Sequence, residues 1–267
     1  MRPTAVRRTV LTASAATLAL LVTACGGGDQ KGGNAEDKGA KDGGASSAPA
    51  AKALTAAELE KLVIASADLK DHKVTKPGKD AVADPATLSV GKAECEPVAQ
   101  VLSALPAGKP AASAQRLVVQ ESAAAKEGMP DLDGLTEEQA KEAMLNSLDV
   151  TKTTTSLWSY DADGAEQTLK TLREAGKKCA GGFSMSVEGE KQQVTKITEE
   201  KLTAGEDAVA WTVGTKMDGT AADTKVVVFR QGTTLAGFSS FNIASVTRGE
   251  AFDQPTAVID AQEAKLG

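Results

Sequence analysis

Between residues 26 and 53 the chain holds eight glycines, many alanines and small charged residues, and almost nothing large and apolar. A segment of that kind cannot bury enough surface to offset its ordering entropy. It reads as a flexible linker with a typical end-to-end distance of about 30 Å, at roughly 5–6 Å times the square root of its length. The fold must then come from the 214 residues of 54–267, a length that suits one domain, with two small ones as the alternative. The whole sequence has eight aromatics: Trp158, Tyr160, Phe183, Trp211, Phe229, Phe238, Phe241 and Phe252. Its core must therefore be mainly aliphatic.

Ahead of the linker, Arg2, Arg7 and Arg8 form a positive n-region. Thr9–Thr23 is an uncharged, mostly apolar h-region, and Ala24 is the small residue before a cut. The apolar stretch is about 15 residues, short of the roughly 20 that span a bilayer as a helix. An export signal over residues 1–24 is the prediction, with a retained membrane helix as the alternative. Val22-Thr23-Ala24-Cys25 resembles a bacterial lipobox, in which an aliphatic and two small residues precede a modified cysteine. The aliphatic position there is more often Leu. The resemblance implies cleavage between Ala24 and Cys25 and a diacylglyceryl thioether on Cys25. It also implies a cell-membrane lipoprotein held on the extracytoplasmic face by acyl chains such as palmitate, several of which anchor stably where one is marginal. The alternative is an ordinary signal peptide with an incidental cysteine. Arg7-Arg8-Thr9-Val10-Leu11 partly resembles a twin-arginine signal, so both that route and the general secretory route stay open.

The formal net charge is −6, and losing the three leading arginines takes it to −9. No basic cluster is present to neutralise phosphates along a nucleic acid, so that partner class is excluded. The acidity also opposes general attraction to an anionic membrane surface. With Cys25 lipidated, Cys95 and Cys179 remain. Outside the cell an even pair suggests a disulfide, against the alternative of two buried thiols. Zinc is not expected, because one distant cysteine pair and a single histidine lack ligand spacing.

Helix signals open the folded part. Thr55 and Glu58 form a capping box, with Leu54 and Leu59 at the staple positions. A second helix is predicted over Glu94–Leu105 and a third over Thr136–Leu148, where Thr136 and Gln139 repeat the capping box. Ala165, Leu169, Leu172, Gly176 and Cys179 recur at helical spacing after Asp161 or Asp163, either of which can cap. Strands are predicted at 114–121, 152–160, 182–188, 192–202, 207–217, 224–230 and 233–246, with a tight hairpin at Gln231-Gly232. In the last strand apolar parity changes between Phe238 and Phe241, which predicts a bulge near Ser239-Ser240. Pro255–Leu266 reads as a closing helix. The sum is an α+β fold, a mostly antiparallel sheet of about five to seven strands backed by helices.

Chemistry-bearing motifs are sparse. His72 lies between charged residues beside no evident nucleophile. Gly182-Phe183-Ser184-Met185-Ser186 lacks the last glycine of a serine-hydrolase elbow, and Ser89-Val90-Gly91-Lys92 has no K-T-G companion. Calcium-loop spacing fails around Gly164 and Gly134. No catalytic residue, cofactor or metal site is expected. Trp158, Tyr160 and Trp211, on predicted strands, could line a pocket or pack in the core.

Residues 157–179, Leu157 to Cys179, place an aromatic-ended strand, an Asp, a helix with Ala and Leu at core spacing, and then a Cys. This resembles the extracellular sensor domain of actinobacterial receptor serine/threonine kinases, which also occurs in stand-alone lipoproteins. The resemblance implies an α+β fold with an antiparallel sheet, a ligand cleft and disulfides. The chain departs from that pattern in having cysteines for one disulfide rather than two. Gly176 and Lys177 also stand where that family usually has a Trp. The functional expectation is a membrane-anchored, non-enzymatic, ligand-binding or sensor-like domain whose partner is an unknown envelope ligand or protein. An envelope interaction protein without a small ligand is the second reading. A secreted hydrolase using Ser184 or Ser89 is the third.

Overall fold

The computed structural model describes residues 50–78 and 82–267. Ala24, Cys25 and the predicted export signal lie outside the described residues, as does the linker up to residue 49. Its last residues are already tied down. Ala53 N donates to Asp161 Oδ1 (3.0 Å) and Ala162 N to Ala51 O (2.7 Å).

The elements run in order α1 (Ala56–Leu62), β1 (His72–Thr75), β2 (Ser89–Val90), α2 (Glu96–Leu102), β3 (Ala112–Glu121), α3 (Ala123–Glu127), α4 (Glu137–Ser147), β4 (Val150–Ser159) and α5 (Gly164–Lys178). Then follow β5 (Phe183–Val187), β6 (Glu190–Glu199), β7 (Asp207–Met217), β8 (Thr220–Gln231), β9 (Thr234–Asn242), α6 (Ile243–Arg248) and α7 (Thr256–Leu266). All strands join one antiparallel sheet in the order β1-β3-β4-β9-β8-β7-β6-β5-β2. The α+β class holds, but the sheet has nine strands among the described residues, not five to seven. The two extra strands, β1 and β2, are edge pieces of four and two residues, too short and too polar to carry an alternation signal.

Both capping boxes form. Thr55 Oγ1 accepts from Glu58 N while Glu58 Oε2 accepts from Thr55 N, and Thr136 with Gln139 repeats the exchange. Asp163 holds the N-cap position of α5 without bonding the helix backbone; it accepts from Gln167 Nε2 (2.6 Å) instead. The core face of α5 ends at Cys179, which is bonded to Cys95 with the two Cα atoms 5.8 Å apart. That bond pins the start of α2 to the end of α5, and both sulfur-bearing residues are fully buried.

The sheet is covered on both faces. α2, α5 and the disulfide pack over Trp158, Leu235, Val226, Val228, Trp211 and Val213. On the other face α1 and α7 pack over Leu157, Ala236, Phe238, Val227 and Phe229, where the two phenyl rings stack at 5.8 Å. The uninterrupted apolar run in β8 follows from this double cover, since buried strands need no polar alternation. Gln262 on α7 is the main polar intruder. Its amide accepts from Ile64 N (3.0 Å) and donates to Leu62 O (2.9 Å), satisfying the end of α1.

The predicted bulge at Ser239-Ser240 is absent: β9 pairs with β4 without interruption from Thr234 to Asn242. The parity change marks the limit of helix cover, not an extra residue. Phe241 lies on the α2–α5 face beyond those helices and stays 42% exposed. The register shift falls instead between Val194 and Lys196, in the β6–β7 ladder. The strand predicted to run to residue 246 ends at Asn242, whose side chain accepts from Ser245 N (2.9 Å) and starts α6.

Two glycines make room for the two tryptophans. A Cβ on Gly176 would sit 2.6 Å from the Trp211 ring, and one on Gly237 would collide with the Trp158 ring. Neither indole can retreat, because both are almost fully buried. Gly237→Ala should therefore destabilise the protein by about 1–3 kcal/mol, the usual cost of overpacking a core. Urea unfolding followed by tryptophan fluorescence checks this; an unchanged midpoint would contradict it.

Candidate functional site

On the α1–α7 face, the middle strands turn from apolar to polar along their length. Leu157, Ala236 and Phe238 give way to Thr153 and Thr151 on β4 and to Ser240 and Asn242 on β9. Thr153, Ser240 and Asn242 are buried, Thr151 is half-buried, and all four are paired, as burial demands. Thr153 Oγ1 and Ser240 Oγ lie 2.8 Å apart, and Asn242 Nδ2 donates to Asp149 Oδ1 (2.8 Å) and Thr151 Oγ1 (3.0 Å).

This polar end opens into a cavity of about 440 Å³ whose lining includes Gln120, Thr151, Asn242, Arg248, Phe252 and Gln254. The segment between α6 and α7 forms one wall. Arg248 is held in place by Glu142 Oε1 (2.9 Å) and Asn146 Oδ1 (2.7 Å) of α4. Glu121, Asp149 and Asp253 also line the cavity, so its carboxylates outnumber its one cation.

A buried polar knot fastens that wall to the sheet. Lys225 of β8, only 8% exposed, donates from Nζ to Glu200 Oε1 (2.7 Å) and Thr212 Oγ1 (2.8 Å). Gln254 Nε2 donates to Glu200 Oε2 (2.7 Å), and the Phe252 ring centroid lies 5.9 Å from Lys225 Nζ. Gln254 Oε1 is buried without a hydrogen-bond partner among the described residues. Burial raises the Glu200 carboxyl, but hydrogen bonds from Lys225, Thr212 and Gln254 outweigh it and hold the group below the usual carboxylate range.

Of the aromatic candidates, Tyr160 alone among the three reaches a recess wall. It lines a space of about 550 Å³ between α2 and α5, with Pro97, Gln100, Gln167 and Thr168. Its hydroxyl donates to Ala107 O (2.6 Å), and burial pushes the phenol far up. Trp158 and Trp211 are core residues under α2 and α5. The sequence reading offered pocket wall or core for all three alike and did not tell them apart, and it missed the polar cavity. Gln120, Asp149, Thr151, Asn242, Phe252 and Gln254 are ordinary polar or aromatic residues spread over five segments, and no spacing pattern links them.

Ser89 and Ser184 come together at the other end of the sheet, lining a recess of about 430 Å³ with Lys191 and Lys216. No His, Asp or Glu hydrogen-bonds to either serine among the described residues. His72 lies on edge strand β1, with Nδ1 2.6 Å from Lys70 O. Among the described residues no group of three His, Cys, Asp or Glu could hold a metal, and no helix is long and apolar enough to cross a membrane.

No protein-family model matches the chain, and no curated protein does. In fold the chain is similar to the extracellular domain of PknH from Mycobacterium tuberculosis. That match covers 80% of this chain and 97% of the other, at 10% identity and a TM-score of 0.48. The functional reading below rests on this chain's own residues.

The Glu200 knot carries a pH signature. Because its folded carboxyl lies below the ordinary value of about 4.3, the stability it adds is complete above about pH 5 and is lost as pH falls through the folded value. Glu200→Gln should flatten this acid limb while lowering stability at pH 7, since Lys225 then stays buried without its counter-charge. Urea midpoints from pH 3 to 7 measure both; parallel profiles for the two proteins would contradict the assignment.

Proposed function

We propose that the protein is a lipid-anchored, extracytoplasmic binding domain, and that the cavity beside Asn242 and Gln254 receives a small polar ligand. The anchoring half of this reading rests on the lipobox-like Val22-Thr23-Ala24-Cys25, the linker behind it and the Cys95–Cys179 bond, which suits an oxidising compartment. The binding half rests on one observation: a preformed cavity of about 440 Å³ on which amide, hydroxyl, guanidinium and carboxylate groups converge beside the Phe252 ring. Pockets that bind small molecules combine such concavity with a few placed polar groups.

The ligand class follows from the lining. Three carboxylates against one guanidinium disfavour anions, while amide and hydroxyl groups beside the Phe252 ring suit a neutral or cationic compound rich in hydroxyl or amine groups. A ligand N–H or O–H facing the carboxylates of Glu121, Asp149 or Asp253 would form charge-assisted hydrogen bonds that an apolar compound cannot supply. No residue is assigned a catalytic role; the domain recognises and does not transform.

Two readouts on one expression series test the reading. Cells making the wild type should incorporate labelled palmitate into the protein and retain it in the membrane fraction, and Cys25→Ser should abolish the labelling. Against a panel of sugars, amino sugars, polyols and amino acids, the wild type should gain thermal stability with at least one class. Phe252→Ala combined with Gln120→Ala should lose that gain. Labelling that survives Cys25→Ser overturns the anchor, and a panel that shifts neither protein, or both equally, overturns the cavity assignment.

A further inference from the structure

The β5–β6–β7 end of the sheet carries a second feature, on the same face as α1 and α7 but beyond their cover. Register places its side chains. Ser184 is opposite Gln193, Ser186 is opposite Lys191, and Ser89 on the edge is opposite Ser186. Across the next ladder Gln193 is opposite Lys216 and Lys196 is opposite Gly214. Directly paired residues share a face, so three serines, one glutamine and three lysines project to one side. The register shift at Thr195 is what brings Lys196 to this side. With strict alternation it would follow Val194 to the other face.

These groups surround the recess of about 430 Å³ lined by Ser89, Ser184, Ser186, Lys191, Gln193 and Lys216. Its lining contains no acidic residue, in a chain of net charge −6. None of the eight ion pairs among the described residues uses Lys191, Lys196 or Lys216. The carboxylate nearest in register on this face is Asp223, which is opposite Gly214 and not part of the lining. The recess therefore presents ammonium, hydroxyl and amide donors together, with no carboxylate in its lining. The cavity beside Asn242 has the reverse balance and cannot serve the same ligand.

We propose that this recess binds a phosphate group, with Lys191 and Lys216 supplying charge-assisted hydrogen bonds and the Ser184 and Ser186 hydroxyls completing the contact. A tetrahedral anion with several acceptor oxygens matches donors that converge from adjacent strands, and charged donors make the stronger bonds. A phosphate free in solution and one borne on a lipid headgroup call on the same side chains. The assignment is independent of the anchor and of the ligand in the other cavity.

The test uses the chain from residue 25 onward carrying Cys25→Ser, so that neither the apolar leader nor an acyl chain can hold a vesicle. All the elements described above lie within residues 50–267 and build their own cores. Inorganic phosphate is titrated at constant ionic strength against backbone amide shifts in NMR. Phosphatidylglycerol vesicles, with phosphatidylcholine vesicles as control, are tested by co-flotation. Saturable shifts at Ser184, Ser186, Lys191 and Lys216, weakened about tenfold or more in Lys191→Ala/Lys216→Ala, support binding of the free anion. Flotation with phosphatidylglycerol alone, lost in the same variant, supports the headgroup. Lys191→Arg/Lys216→Arg should retain either response, and circular dichroism verifies that each variant folds. Absence of both responses, or responses that survive the double alanine substitution, overturns the proposal.

Discussion

β8 and β9 have no solvent face over Lys225–Phe229 and Thr234–Phe238. Val226 and Val228 lie under the disulfide-linked pair α2 and α5, while Val227, Phe229 and Phe238 lie under α1 and α7. A strand buried on both sides cannot slip by one residue for free, because slippage would exchange two differently shaped cores. Gly237 sharpens that constraint, since only a glycine there lets the Trp158 ring lie across β9. The disulfide acts on the same layer. It fixes the helices that cover one face rather than the strands themselves.

Where that double cover ends, the chemistry changes. Toward one end of β4 and β9 the side chains facing α7 become Thr, Ser and Asn; Thr151, Thr153, Ser240 and Asn242 find partners on a neighbouring strand or loop, while Thr155 Oγ1 is buried without one among the described residues. The segment after α6 is drawn down by Glu200 and Lys225, which leaves a cavity with a firm polar floor and a wall held by few contacts. Toward β5, neither α1 nor α7 covers its face of the sheet, and serines and lysines take the place of apolar residues there, while Phe183, Met185 and Val194 on the other face stay buried in the α2–α5 core. Both proposed binding regions are therefore consequences of where α1 and α7 stop covering a long sheet.

Much of this was legible from local signals. The capping boxes at Thr55 and Thr136 set helix starts because two reciprocal hydrogen bonds need only four consecutive residues. Helical spacing from Ala165 to Cys179 put the cysteine on the buried side, and the structure joins it to Cys95. Non-local features were not legible. Strands β1 and β2 exist only because β3 and β5 offer them backbone partners. The parity change at Phe241 signals a bulge only in a sheet with one buried face; with both faces covered, apolar residues of either parity fit an unbroken strand. Gln262 looks like any surface glutamine until α1 is found ending against it. The polar cavity draws on residues from Gln120 to Gln254, and only the folded topology assembles them.

The most direct test of this account is native-state amide hydrogen exchange across the sheet. If two-sided burial of β8 and β9 holds the fold together, the amides of Val227, Val228 and Ala236 should exchange only through global unfolding, with the free energy found by urea denaturation. The segment between α6 and α7 should open well below that value. Faster exchange at Val227 and Val228 than in β5 or α4 would contradict the account and place the stability elsewhere.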